Sequence, residues 1–264
     1  MKELQIIVCV KQVPDPEGPA DAFSVDLEAK QVVSTGIAPF LNPFDENALE
    51  AALQIKDNHA AKITVVSMGE KLAQPVLRKV LAVGADDLVL LTDSQFKDID
   101  SYSGAYVLLT AIKRIGPYDL ILTGRQSSDW GFGITGLYIA EMLQIPAVSL
   151  ARKVVIEDGS VIVQKASKNG LDVVKAPLPA LVTVSNEVGE LRYVASVLAN
   201  RAAAKKPITI LNAADLGLEQ ELKGREIFTL SVFHNEKKCR LIDGGSAEEK
   251  GRNLAVIMKE DGVI

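Results

Sequence analysis

Short apolar runs recur along this chain, each followed by a polar turn and a helical stretch. Leu4 to Val10 is broken only by Gln5, and Ile63–Met68, Leu88–Thr92, Leu120–Thr123 and Ala180–Ser185 repeat the pattern. Runs with no inward–outward alternation suit strands buried on both faces, as in a parallel sheet. Between them lie helical segments. One opens at Asn42-Pro43-Phe44-Asp45-Glu46 and buries Ala48, Ala51, Ala52 and Ile55. There Asn42 is placed to cap, Pro43 suits the first turn, and the acids meet the positive end of the dipole. Others run from Gly69 through Val83, from Tyr102 to Ile115 before Gly116-Pro117, and from Gly133 with Leu137, Ile139, Ala140 and Leu143 inward. This alternation predicts the α/β class, a doubly wound parallel sheet in a three-layer α/β/α sandwich.

Departures from the alternation define the remaining organisation. A small hairpin is expected near Phe23–Val33, and a larger one, Val148–Ile156 with Val161–Ala166, turns at Asp158-Gly159-Ser160. A small-residue helix is expected over Val194–Ala204 and a last strand over Ile208–Leu211. Apolar density falls after Leu218. The expected division is therefore an α/β domain over 1–218, with the hairpin as an insertion. A C-terminal extension over 219–264 carries a helix near Ala247–Lys259 and packs on another subunit.

Parallel sheets take ligands beyond the carboxyl ends of their strands, where the loops after Val10, Val66, Leu91 and Leu122 would meet. The last loop is the richest in chemistry. Asp119 to Pro146 reads as a strand, a glycine-rich turn and a helix, an arrangement that presents backbone N–H groups and a helix dipole to an anion. It contains Gly131-Phe132-Gly133-Ile134-Thr135-Gly136. In a dinucleotide fingerprint the glycines follow the first strand directly, with an acid about 20 residues on. Here Arg125 to Trp130 separate Gly124 from Gly131, and the later position falls in Lys153-Val154-Val155-Ile156. The pattern therefore favours another kind of anion-binding loop over a nicotinamide site, with a purely structural glycine turn as the remaining alternative. Arg125 is its natural phosphate or flavin partner, and Thr135 suits either a phosphate hydroxyl donor or an ordinary helix start. Asp129 suits either a ligand contact or an Asx-turn, Lys11 an anion or solvent, and Trp130 a ligand or partner contact more than a place in the core. Asp15, between two prolines, reads as a turn former.

Composition removes several function classes. A net charge of −5 argues against nucleic acid as a partner. His59 and His234 are the only histidines, which disfavours a histidine metal site or a His-based triad. Cys9 and Cys239 form no C-x-x-C, and Cys9 within an apolar strand reads as a core residue. Met1-Lys2-Glu3 leads straight into a strand, and no apolar run reaches membrane-spanning length. The expectation is a cytoplasmic protein with no membrane insertion. No grouping offers nucleophile, base and orienter together, so the chain is expected to carry something rather than transform it.

Several segments, taken in order, resemble the β subunit of electron transfer flavoproteins over roughly the first four-fifths of the chain. They are Val8-Cys9-Val10-Lys11-Gln12-Val13-Pro14-Asp15; Asn42-Pro43-Phe44-Asp45-Glu46 with Ala48 and Glu50; and Leu77-Arg78-Lys79-Val80-Leu81-Ala82-Val83-Gly84-Ala85-Asp86. Asp119-Leu120-Ile121-Leu122 with Gly124-Arg125-Gln126 and Asp129, and Leu178-Pro179-Ala180-Leu181-Val182-Thr183, complete the set. The resemblance implies an adenine-nucleotide-binding α/β fold and a heterodimer with an α subunit that carries its own FAD. The β pocket would hold AMP in ordinary members, or a second FAD in electron-bifurcating members, in shared contact with the α-subunit FAD. Carried over by motif, that pocket involves Cys9, Val10, Lys11, Asn42, Met68, Gly124, Arg125, Gln126 and Asp129, and the loop through Gly131, Gly133, Ile134 and Thr135. Electrons would pass between a dehydrogenase, such as an acyl-CoA dehydrogenase, and a membrane oxidoreductase by way of the α flavin.

The chain departs from that pattern in three places. Trp130, Gly131, Gly133 and Ile134 stand where the family carries a further acid and an Ala-Gln pair. Lys165 is followed by Lys168-Asn169-Gly170 and Asp172 rather than by acids and glycines, and the segment near Leu191-Arg192-Tyr193 is slightly longer. Val10–Asp15, Leu81–Asp86 and Thr92-Asp93 with Phe96 and Asp100 resemble the bifurcating branch, in which Asp93–Ser103 lies near the second flavin. This tilts the expectation from AMP toward FAD. The competing reading is an adenine-nucleotide sensor of the universal-stress type. An ATP pyrophosphatase is disfavoured because Lys11-Gln12-Val13-Pro14-Asp15 replaces its Ser/Gly-rich loop.

Overall fold

The computed structural model describes residues 3–19, 22–194, 196–231 and 239–264; His234 and Ala195, both used in the sequence reading, lie outside them. The described chain forms β1 (Leu4–Val10), β2 (Gln12–Pro14), β3 (Phe23–Asp26), β4 (Gln31–Ser34), β5 (Pro39–Leu41), α1 (Pro43–Asn58) and β6 (Ala61–Gly69). Then follow α2 (Gln74–Leu77), α3 (Lys79–Val83), β7 (Asp87–Thr92), α4 (Ser101–Ile115), β8 (Leu120–Gly124) and α5 (Thr135–Leu143). The last third comprises β9 (Ala147–Glu157), β10 (Ser160–Ser167), β11 (Gly170–Pro177), β12 (Ala180–Val184), α6 (Val197–Lys205), β13 (Thr209–Leu211), α7 (Ala213–Leu216) and α8 (Ala247–Glu260).

One nine-stranded sheet organises the molecule, in the order β11-β10-β9-β12-β8-β1-β6-β7-β13. From β9 to β13 every pairing is parallel, and only the β9–β10–β11 meander is antiparallel. The alternation of β1 shows why its sequence is continuously apolar. Ile6, Val8 and Val10 join the core beneath α1, α3 and α6, while Ile7 and Cys9 join the opposite core beneath α4, α5 and α7. Leu120 and Leu122 of β8 face the first core and Ile121 the second. The expected three-layer α/β/α fold is the one observed.

Local departures from expectation have identifiable causes. Helix α5 begins at Thr135 rather than Gly133, because Gly133 has φ +65°, outside the right-handed helical region. The helix expected after Gly69 starts only at Gln74 and tightens at Arg78, where ψ is −15°. The Arg78 guanidinium donates to the carbonyls of Ala203 and Lys206 at the end of α6 (3.0 and 2.8 Å), tying the two elements together. Helix α6 starts at Val197, capped by Ser196, whose Oγ accepts from the Ala199 N–H. Strand β11 was not anticipated: Leu171 and Val173 are exposed, and only Val174 and Ala176 pack toward the core, too few to read as an apolar face. The segment 219–225 returns to the loop between β7 and α4, where Gly224 forms an isolated bridge with Ile99.

Candidate functional site

A cavity of about 340 Å³ opens where β1, β6, β7, β8 and β12 reach their carboxyl ends. This is the edge at which open parallel sheets bind ligands, because loop backbone and helix N-termini converge there. Cys9 and Val10 end β1 and line the cavity with Lys11, Asn42 and Met68. Gly124, Arg125, Gln126, Asp129, Gly133, Ile134 and Thr135 line it from the β8–α5 connection. Gly131 does not. It is exposed and turns the chain at φ +69°, so its contribution is to the course of the loop. Met68 and Gly124, far apart in sequence, meet here because β6 and β8 flank β1 on either side.

The three loop glycines have separate reasons. Gly131 and Gly133 supply positive φ. Gly136, in the first turn of α5, packs so close to β8 that a Cβ would lie 2.6 Å from Thr123 Oγ1. Helix α5 has no side-chain cap, so its first N–H groups carry no side-chain acceptor at the cavity wall.

Asn42 behaves differently from the sequence expectation. It occupies the N-cap position of α1, but its side chain makes no cap bond. Its amide instead donates to the Gln126 carbonyl (2.9 Å) and accepts from the Ser128 N–H (3.0 Å). Asn42 thus fixes the glycine loop.

Asp45, beyond its place in the first turn of α1, was not anticipated as a site residue. Its carboxylate accepts from the Lys11 N–H (2.7 Å) and the Gly124 N–H (3.0 Å), binding the ends of β1 and β8 to one side chain. Gly124 is glycine for the same reason, since a Cβ there would sit 2.4 Å from Asp45 Oδ1. Burial pushes the carboxyl up to about 7, outweighing the hydrogen bonds from Asn42, Lys11 and Gly124 and the Lys11 charge. Burial, with the Asp45 charge adding to it, also pushes the Cys9 thiol up to about 12.

Lys11 Nζ pairs with Asp129 Oδ2 at 2.5 Å. Burial works against ionisation of Asp129, but the Lys11 charge and hydrogen bonds from Lys11, Ser127 and Trp130 hold its carboxyl below the ordinary range. The Arg125 guanidinium lies 5.2 Å above the Phe44 ring. On the far wall stand Phe96, Ile99, Asp100 and Ser101, from the segment that the resemblance placed near a second flavin. At the rim Trp130 stacks on Phe132 (6.0 Å, 18°) and carries Arg225 at 3.7 Å above its ring. Sequence reading had no signal for Arg225, which reaches the cavity only through the returning segment.

Fold and cavity define the class: a parallel three-layer α/β protein whose ligand-type cavity is walled by a glycine turn and a helix N-terminus. The profile of the electron transfer flavoprotein domain matches residues 31–216. The chain is 35% identical to the caffeyl-CoA reductase-Etf complex subunit CarD of Acetobacterium woodii, over 99% of this chain and 100% of that protein. It is 35% identical to the electron transfer flavoprotein subunit beta of Thermoanaerobacterium thermosaccharolyticum over the same shares. Protein FixA of Azorhizobium caulinodans is also 35% identical, over 97% of this chain and 94% of that protein. The chain belongs to the electron transfer flavoprotein β-subunit family, and it is an electron-transfer subunit rather than an enzyme. The sensor reading is not favoured, because the likeness extends through the region after Leu150. Among the described residues, no helix is long and apolar enough to cross a membrane.

Proposed function

We propose that the cavity holds FAD, and that the chain works as the β subunit of a heterodimer whose α subunit carries a second FAD. The observation that carries this is the cavity itself. It combines an uncapped helix N-terminus, a glycine turn and Arg125 with an apolar wall that continues past Phe96 and Ile99 to Trp130. Its volume falls within the range of roughly 300–1,000 Å³ usual for small-molecule sites. The donor set suits a diphosphate: Arg125 and the first N–H groups of α5 are cationic or hydrogen-bond donating, and Thr135 adds a hydroxyl. Phe96, Ile99, Leu108 and Ile139 would exclude water from the ring systems.

When bound, the flavin supplies reversible uptake and release of electrons. The protein's part is to orient it and to control its surroundings. Asp45 holds the β1 and β8 ends in register beneath it, and Asn42 holds the loop. A dehydrogenase, such as an acyl-CoA dehydrogenase, is the electron donor or acceptor. The relative from Acetobacterium, named as a subunit of a caffeyl-CoA reductase complex, supports a CoA-ester enzyme in that role. Two flavins per heterodimer would also allow electron pairs to be split between acceptors.

The test is the nucleotide content of the protein purified with its co-expressed α subunit. Two FAD per heterodimer is the expected result. One FAD with one AMP would replace the flavin in this cavity by AMP, and the absence of any adenine nucleotide would overturn the assignment.

A further inference from the structure

Segment 219–225 follows α7 and runs along the N-terminal half of α4 and the loop after β7, and its last residue, Arg225, lines the cavity. The Glu219 N–H donates to Tyr106 Oη (3.1 Å), and the Lys223 N–H donates to Oγ of buried Ser103 (2.8 Å). The Asp100 N–H donates to the Lys223 carbonyl (2.9 Å), and the Arg225 N–H to the Asp98 carbonyl (2.7 Å). Asp98 adopts φ +50°, a left-handed conformation that aspartate tolerates better than most residues, and its carbonyl is held there by the Arg225 N–H. The strap therefore shapes the loop that forms one wall of the cavity.

Arg225 then reaches the other wall. Its Nη2 donates to the Ile99 carbonyl (3.2 Å), while its guanidinium lies over Trp130 at 3.7 Å, well inside the roughly 6 Å limit for cation–π attraction. Trp130 continues the stack to Phe132. The loop after β7 and the glycine loop after β8 are thus joined across the mouth by one side chain from far along the sequence. Neither the carbonyl nor the indole cancels the charge of Arg225, which is itself part of the cavity wall.

We propose that residues 219–225 form a retaining strap over the nucleotide, latched by Arg225 on Trp130. This rests on the reading of the cavity as a nucleotide site and adds to it the element that controls release. Arg225 and Trp130 act as positioning residues, holding the walls together and setting a positive charge at the mouth toward a phosphate-bearing ligand.

The test uses the full chain with FAD as probe, following release by flavin fluorescence after dilution. Trp130 is the only tryptophan in the chain, so acrylamide quenching of its emission reads the latch directly. In Arg225→Ala, release is expected to be about threefold faster, the scale of one lost cation–π contact at an exposed site, with quenching of Trp130 increased. Arg225→Lys keeps the charge without the planar stack, and Trp130→Phe keeps an aromatic face; both are expected to fall between wild type and Arg225→Ala. Release at the wild-type rate in Arg225→Ala, with quenching increased, would overturn the latch while leaving the nucleotide site intact. A wild-type chain that binds neither FAD nor AMP would overturn both. If Arg225→Ala does not fold, Arg225→Lys and Trp130→Phe decide, and wild-type release in both would overturn the latch.

Discussion

Two backbone N–H groups, from the ends of β1 and β8, terminate on the carboxylate of Asp45. Asp45→Ala leaves both donors without that acceptor, and buried unpaired donors cost about 1–3 kcal/mol each. The variant should lose about 2–4 kcal/mol at pH 5, measured by urea unfolding. The cost should shrink at higher pH. The Asp45 carboxyl is raised from 3.8 to about 7, so between those values the native chain holds a proton that the unfolded chain has released. Its contribution therefore falls as pH rises from about 4 to 7 and is constant above that window. A cost equal at pH 5 and pH 8 would contradict the raised value. Cys9 offers a second test. A buried thiol raised to about 12 has almost no thiolate at pH 8, whereas Cys239 is exposed. Iodoacetamide should add one adduct to the native chain, on Cys239, and two after unfolding.

At the scale of elements, close approach and backbone conformation can be separated in the glycine loop. Gly136→Ala pushes a Cβ against Thr123 Oγ1 and should cost about 1–3 kcal/mol by overpacking. Thr123→Ala in the same chain should recover much of that loss. Gly131→Ala meets nothing within 4 Å and should cost only the left-handed backbone conformation, about 1–2 kcal/mol, with no recovery from Thr123→Ala. Thermal unfolding of the four variants decides between the two causes. The elements also show how far sequence periodicity reaches. The strands β1, β6, β7, β8 and β12 were legible because burial on both faces leaves an uninterrupted apolar run. Strand β11 was not, since hydrogen bonding to β10 holds it with little apolar burial. The start of α5 was misplaced by two residues because only the backbone at Gly133 reveals that the helix has not yet begun.

For the whole molecule, a ligand that binds only the folded state stabilises it by mass action. At a concentration about a hundredfold above Kd this amounts to about 2.7 kcal/mol, or roughly 5–10 °C for a chain of this size. FAD should raise the midpoint of the full chain by that amount. Riboflavin, which lacks the diphosphate, should shift it far less. Equal shifts from both would remove the phosphate-binding loop from the argument. The sequence by itself determined the layered α/β fold and the edge of the sheet at which the cavity opens, and the residues that the resemblance assigned to a cofactor lie around that cavity, Gly131 excepted. Those features follow from local periodicity, from glycine and proline at turns, and from motifs that keep their spacing. Only the tertiary structure decided that Asn42 holds the loop instead of capping its helix, that Asp45 joins two strand ends, and that Arg225 crosses the mouth. Each depends on side chains brought together across long stretches of chain, by burial and hydrogen bonding that no local pattern records.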